Sequence, residues 1–261
     1  MCNHQIDKRG FSTRAVRSGE EIKFNNGYGD VVVPIHLTTT YARQSLEEIR
    51  GGYDYIRSGN PTRQALEEKL ASLEGSSYAY AFSSGLAAES SLLLSLLHQG
   101  DHIIAFYDIY GGTQRLFNDI LTQYGFEITY VDATEPENVE QAIRENTRLV
   151  WIESPSNPFL RLCDIRAIAD IAHKRDVLLV VDNTFLSPYF QRPLELGADV
   201  VSYSATKYLG GHSDVLAGAL TTNNKQIAER IYLQQNATGT VLSPFDSYLV
   251  LRGVKTLELR M

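Results

Sequence analysis

From residue 60 onward, short and almost unbroken apolar runs alternate with amphipathic stretches. Asn60 suits a helix cap and Pro61 the first helical position, Leu66, Leu70 and Leu73 repeat on one face, and Gly75 closes the element. The same alternation predicts strands over Tyr78 to Phe82, His102 to Phe106, Phe126 to Val131, Arg148 to Ile152, Val177 to Val181 and Asp199 to Tyr203. Between the earlier strands it predicts helices over Gly85 to Leu97, Gln114 to Tyr124, Pro136 to Glu145 and Ile165 to Lys174. Apolar strands separated by helices imply an α/β fold: a mostly parallel sheet with helices on both faces. Residues 1–60 show no sustained period and read as an arm that wraps the domain or reaches a neighbouring subunit. Residues 61–245 form the α/β domain, and 246–261 begin a linker helix. Leu249 to Met261 reads as a helix in progress without a stop signal, so a fragment of a longer protein is expected.

Composition narrows the classes. The 261 residues are 43% hydrophobic and 21% charged with a net charge of −7, an ordinary globular balance. An acidic chain without a basic cluster argues against nucleic acid or anionic membrane as partner. The longest apolar stretch, Leu86 to Leu97, is broken by Glu89, Ser90, Ser91 and Ser95, too short and too polar for a membrane span. Met1 to Arg9 holds no apolar signal-peptide core. Cys2 and Cys163 are the only cysteines, so no disulfide framework exists and a cytoplasmic location is expected. In that compartment the sequon at Asn236 carries no meaning.

In open α/β sheets, ligands bind beyond the carboxyl ends of the strands, and four segments stand there. Ser83-Ser84-Gly85-Leu86 opens a helix, where free backbone N–H groups attract anions, although the same residues also make an ordinary turn. In Tyr107-Asp108-Ile109-Tyr110-Gly111-Gly112, Tyr110 can stack on a planar ligand or rest half-buried in a turn. The prolines of Glu153-Ser154-Pro155-Ser156-Asn157-Pro158 stiffen a loop and aim Asn157. Asp182 ends a very apolar strand, where a carboxylate needs a cation or strong donors. Lys207 follows the next strand, so the two stand at one mouth if their strands are neighbours. A structural salt bridge is the alternative.

Taken jointly, these parts suit pyridoxal 5'-phosphate (PLP): a lysine for its aldehyde, a carboxylate for its pyridine nitrogen, donors for its phosphate and an aromatic face for its ring. Other chemistries lack their signatures. There is no G-x-x-x-x-G-K-[ST], no G-x-G-x-x-G and no G-x-S-x-G. No H-E-x-x-H or C-x-x-C spacing supports a metal site. His212, soon after Lys207, reads as a loop-stabilising histidine, with a catalytic role as the alternative.

At these residues the sequence resembles the Cys/Met-metabolism family of PLP enzymes, which includes cystathionine γ-lyases, γ-synthases and β-lyases. The resemblance runs from about Ser12 to Met261. It is most specific over Tyr53 to Arg63, Glu153 to Pro158, Asp182 to Phe185 and Ser204 to Asp214. It implies a fold type I large domain. It also implies that Lys207 binds the cofactor covalently and moves protons, that Asp182 pairs with the pyridine nitrogen, and that Tyr110 stacks on the ring and assists as acid or base. Asn157 would approach the ring hydroxyl. Ser84, the N–H groups of Gly85 and Leu86, and Ser204 with Thr206 would hold the phosphate. Tyr55 and Arg57 would reach that phosphate from a neighbouring subunit, in a homodimer or homotetramer.

Two departures qualify the resemblance. Ile56 stands where the family usually has a small or polar residue, and the chain ends before the smaller C-terminal domain of full-length relatives, with its substrate-binding arginine. Gly112 replaces the cysteine typical of methionine γ-lyases. The expected activity is γ-elimination on cystathionine or a related sulfur amino acid. The alternatives are γ-replacement on an acylated homoserine, then β-elimination, or an inactive cofactor-holding fragment.

Overall fold

The computed structural model describes residues 8–22 and 28–261, so Cys2 lies outside the described residues. Seven strands form one sheet: β1 (Tyr78–Phe82), β2 (His102–Phe106), β3 (Glu127–Val131), β4 (Thr147–Glu153), β5 (Leu178–Asp182), β6 (Val200–Tyr203) and β7 (Gly218–Thr222). Their spatial order is β1-β7-β6-β5-β4-β2-β3. Neighbours from β6 to β3 are parallel, whereas β7 runs antiparallel to both β6 and β1. Every residue of β2, β6 and β7 is buried. Burial without alternation requires cover on both faces of the sheet.

The helices are α1 (Phe11–Arg17), α2 (Pro61–Glu74), α3 (Gly85–Leu96), α4 (Gly111–Arg115), α5 (Pro136–Ala142), α6 (Ile165–His173), α7 (Ser187–Phe190), α8 (Lys225–Thr238), α9 (Pro244–Val254) and α10 (Leu257–Arg260). The expected cap of α2 is present: the Asn60 side chain accepts from Thr62 and Arg63 N–H, and Gly75 closes the helix at φ 76°. Other bounds moved. The helix expected from Gln114 begins at Gly111 and passes through a π-turn at Leu116–Ile120 before a 3-10 turn at Leu121–Tyr124. The helix expected to reach Glu145 stops at Ala142, because Ile143 turns extended at ψ 129°. Strand β7 and helix α8 had no expected counterpart. The continuous helix expected over Leu249 to Met261 breaks at Thr256, whose φ −108° and ψ 10° leave the helical region.

Residues 1–60, expected to be irregular, contain α1, which packs on α2. Lys69 on α2 is fully buried, with Nζ 3.0 Å from Glu20 Oε1, and Lys255 reaches the other oxygen of Glu20 at 2.6 Å. A buried charge needs such pairing to be tolerated, and here it ties the N-terminal segment to α2 and α9.

Two packing features generate predictions. A Cβ on Gly218 would lie 2.1 Å from the Ser84 carbonyl oxygen, so β7 fits beside the start of α3 only with glycine. Gly218→Ala is expected to destabilise the fold by about 1–3 kcal/mol through overpacking, read as a lower urea midpoint. An unchanged midpoint refutes this tight contact. The second feature is Glu74, buried at the end of α2 and accepting a hydrogen bond from the Tyr203 hydroxyl. Burial pushes its carboxyl from 4.5 up to about 8. The folded state then keeps a proton that the unfolded chain releases, so this contribution is complete below about pH 4.5 and is lost as pH rises through about 8. Glu74→Gln should therefore lose less stability than the wild type between pH 5 and pH 8, measured by urea unfolding. Equal slopes would exclude a raised carboxyl at this position.

Candidate active site

Asp182 is the last residue of β5, and the register places it opposite Glu153 on β4 and Ser202 on β6. β5 and β6 are thus neighbours, as a shared mouth requires. Asp182 is buried, and its Oδ1 accepts the Thr184 N–H at 2.9 Å. Thr184 Oγ1 accepts the Ser204 N–H at 2.8 Å, and the Ser204 carbonyl accepts the Lys207 N–H at 3.1 Å. Three consecutive hydrogen bonds therefore link the Asp182 carboxylate to the backbone that carries Lys207. The Lys207 side chain is exposed.

The lysine turn is braced from behind. Gly210 N–H donates to the Ala205 carbonyl at 2.8 Å and Gly211 N–H to that of Lys207 at 2.7 Å. Arg260 donates to the Tyr208 carbonyl at 2.7 Å and to that of Gly253 at 2.8 Å. A Cβ on Gly253 would sit 2.0 Å from the Gly210 oxygen, so α9 meets this turn through bare backbone. His212 Nδ1 lies 2.9 Å from the Gly210 carbonyl, in keeping with a loop-stabilising histidine.

The start of α3 forms the second part of the site. Ser84 caps the helix by accepting the Ala87 N–H at 3.0 Å, and its carbonyl takes the Ala88 N–H at 3.1 Å. Helix geometry leaves the N–H groups of Gly85 and Leu86 without intrahelical acceptors. A Cβ on Gly85 would lie 3.2 Å from Ser204 Cβ and 3.4 Å from its Oγ, so the Ser204 hydroxyl faces this corner. Thr206 differs from expectation. Its hydroxyl donates to the Ala217 carbonyl and accepts the Ala217 N–H, both at 3.0 Å, which occupies its one donor.

Tyr110, at the start of α4, is 47% exposed, and its ring folds back over Gly112, where a Cβ would stand 2.3 Å from Cε1. Asn157 is half-buried in the loop after β4. Tyr55 and Arg57 touch each other, with the guanidinium 5.4 Å from the ring centroid. Among the described residues no hydrogen bond or ion pair joins either to Ser84, Gly85 or Leu86.

Sequence reasoning missed Glu153 and Glu89, both buried beside Asp182. Glu153 Oε2 accepts the Tyr110 N–H at 2.7 Å. Burial first, then the charge of Asp182, pushes its carboxyl up to about 9. The same two causes raise Glu89 well above the ordinary range, and its Oε2 has no hydrogen-bond partner among the described residues. Burial raises Asp182 as well, against the pull of Thr184. The signal for Glu153 was available: it too ends an apolar strand with a carboxylate.

No cationic side chain lies within ion-pair distance of Asp182, Glu153 or Glu89 among the described residues. A protonated ring nitrogen supplies the missing cation, and the free N–H groups at Gly85 and Leu86, with the Ser204 hydroxyl, suit a phosphate. The residues present fit PLP.

The comparisons give the family. The family described as "Cys/Met metabolism PLP-dependent enzyme" matches residues 12–261. The chain is 49% identical to a probable cystathionine gamma-synthase of Herpetosiphon aurantiacus, covering 97% of this chain and 78% of that protein. It is 50% identical to a cystathionine gamma-lyase of Bacillus subtilis, covering 89% of this chain and 61% of the relative. The crystal structure of metB from Corynebacterium glutamicum superposes with a TM-score of 0.96 at 46% identity, covering 99% of this chain and 66% of that one. With the match running through every strand end described above, the chain belongs to the Cys/Met metabolism family of PLP-dependent enzymes.

Proposed function

We propose that this chain carries the cofactor-binding half of a transsulfuration enzyme that acts on cystathionine by γ-elimination. The observation that supports the reading most is the Asp182 carboxylate, buried without a cation and linked by three hydrogen bonds to the Lys207 turn. Bound PLP supplies an electron sink for the carbanion formed when the substrate loses its α-proton. Lys207 would hold the aldehyde through its amine, and its Nζ would take the substrate's α-proton. It is also placed to return a proton further along the substrate. Asp182 keeps the ring nitrogen protonated by offering a carboxylate oxygen that Thr184 holds in place. Tyr110 would stack on one face of the ring and assist as acid or base. Asn157 donates to the ring hydroxyl.

The phosphate rests on Ser84, the N–H groups of Gly85 and Leu86, and Ser204. Thr206 would join this set only at the expense of its hydroxyl's bonds to Ala217. Tyr55 and Arg57 of a second copy complete the phosphate site, in a homodimer or homotetramer. Their exposure and their absence from the same chain's phosphate corner support that assignment. In this reading residues 1–60 serve as the intersubunit arm, 61–245 as the PLP-binding domain and 246–261 as the start of a linker, all in a cytoplasmic protein.

γ-Replacement on an acylated homoserine is the second reading, because the Herpetosiphon relative bears the synthase name at 49% identity. In a full-length protein containing this chain, cystathionine as sole substrate should yield cysteine, 2-oxobutyrate and ammonia. Formation of cystathionine from an acylated homoserine and cysteine, without that breakdown, would select the synthase instead. For the cofactor, incubation with PLP should give a yellow protein. Borohydride should bleach it and leave the cofactor's mass on the Lys207 peptide. Lys207→Ala should lose that adduct while keeping its far-ultraviolet circular dichroism. An adduct on another lysine would overturn the assignment.

A further inference from the structure

Three hydrogen bonds that involve side chains pin the segment that carries Tyr110. Gln114 Nε2 donates to the Tyr107 carbonyl at 2.6 Å, the Ser156 hydroxyl donates to the Asp108 carboxylate, and Tyr110 N–H donates to Glu153 Oε2 at 2.7 Å. Tyr110 itself is held within its own helix by the Gln114 N–H on its carbonyl at 3.0 Å, and to another element by Glu153. Tyr110 occupies the cap position of α4, yet its side chain makes no capping bond and its ring leans across Gly112. With the side chain uncommitted, the ring's position follows from the backbone of residues 110–112, and Glu153 is the group from another element that holds that backbone.

Glu153 is itself immobile. It ends β4 in register with Asp182 and is buried, so its Cα stands roughly 5 Å from that of Asp182, at the usual strand spacing. One side chain thus connects the strand end bearing the ring-nitrogen partner to the residue that covers the ring face.

We infer that Glu153 is a positioning residue: its carboxyl ties the Tyr110 backbone to the strand end beside Asp182 and so sets how the Tyr110 ring stacks on the bound cofactor. This rests on the PLP reading above. The tie needs an acceptor oxygen at the reach of a glutamate side chain. It does not need a negative charge, since an amide oxygen accepts the same N–H. Glutamine should therefore substitute, and leucine, of similar bulk with no acceptor, should not.

The test uses the 261-residue chain loaded with PLP, read by visible circular dichroism per bound cofactor and by the rate of cofactor loss on dilution. Glu153→Leu should lower the visible signal at least twofold and speed cofactor loss at least fivefold. Tyr110→Ala should do the same, and the double variant should be no worse than Tyr110→Ala alone, because both remove one contact. Glu153→Gln should stay within twofold of the wild type on both readouts. Should Glu153→Leu fail to fold, Glu153→Asp, whose shorter carboxyl falls short of the Tyr110 N–H, takes its place with the same expectation. The inference is overturned if Glu153→Leu matches the wild type, if Glu153→Gln is as impaired as Glu153→Leu, or if the Leu and Tyr110→Ala losses multiply. Failure of the wild type itself to take up PLP is a separate result, and it would remove the cofactor reading instead.

Discussion

A carboxylate shut inside a protein without a cation is an unfavourable object, and Asp182 is one. Its main local compensation is Thr184, while Glu153 and Glu89 crowd it with further acidic groups. Water-to-interior transfer of an unpaired charge costs several kcal/mol even after relaxation. The cost falls when neighbouring acids keep their protons, which is the direction burial drives Glu153 and Glu89. It falls further when a cation enters. A pyridinium nitrogen would meet that need, which is the role proposed for Asp182.

The opposite end of the occupant must be anionic, and the fold supplies an anion site at a suitable place. Antiparallel β7 brings Gly218 against the Ser84 carbonyl, and the Ser204 hydroxyl faces Gly85. The start of α3 and the loop after β6 therefore form one corner. The loop after β6 also carries Lys207, and Thr184 stitches that loop to Asp182. Acid, amine and anion site are held by neighbouring backbone, so their spacing depends on sheet register and little on side-chain freedom.

Much of this was legible along the chain. Helix α2 announced itself because Asn60, Pro61 and Gly75 are punctuation with a mechanism, and β2, β4 and β5 because unbroken apolar runs have few other uses. β7 was hidden, since Gly218-Ala219-Leu220-Thr221-Thr222 is small and mixed, and its burial comes from being sandwiched between β1 and β6. The break at Thr256 depends on tertiary contacts at the lysine turn, where Arg260 folds back on Tyr208 and Gly253. In the site, Asp182 and Lys207 were readable as residue types at strand ends. Thr206 was placed by the resemblance, and its hydroxyl is bonded to Ala217. Glu153 was readable as a carboxylate at a strand end, but its link to Tyr110 was not, because that partner is a backbone N–H.

The loop after β4 carries more of the site than its sequence advertises. Glu153 holds Tyr110, Ser156 holds Asp108, and Asn157 follows directly. In the proposed site, the groups at the face and the edge of the ring would therefore be tied to a single strand end. That strand is central in the sheet, with β5 on one side and β2 on the other. Central strands open last in local unfolding, so a contact hung from β4 inherits the rigidity of the core even where the residue making it, Tyr110, is half exposed. In the proposed site, ring contacts hung from an interior strand would help to keep the fixed angle between ring and bond that proton transfer needs.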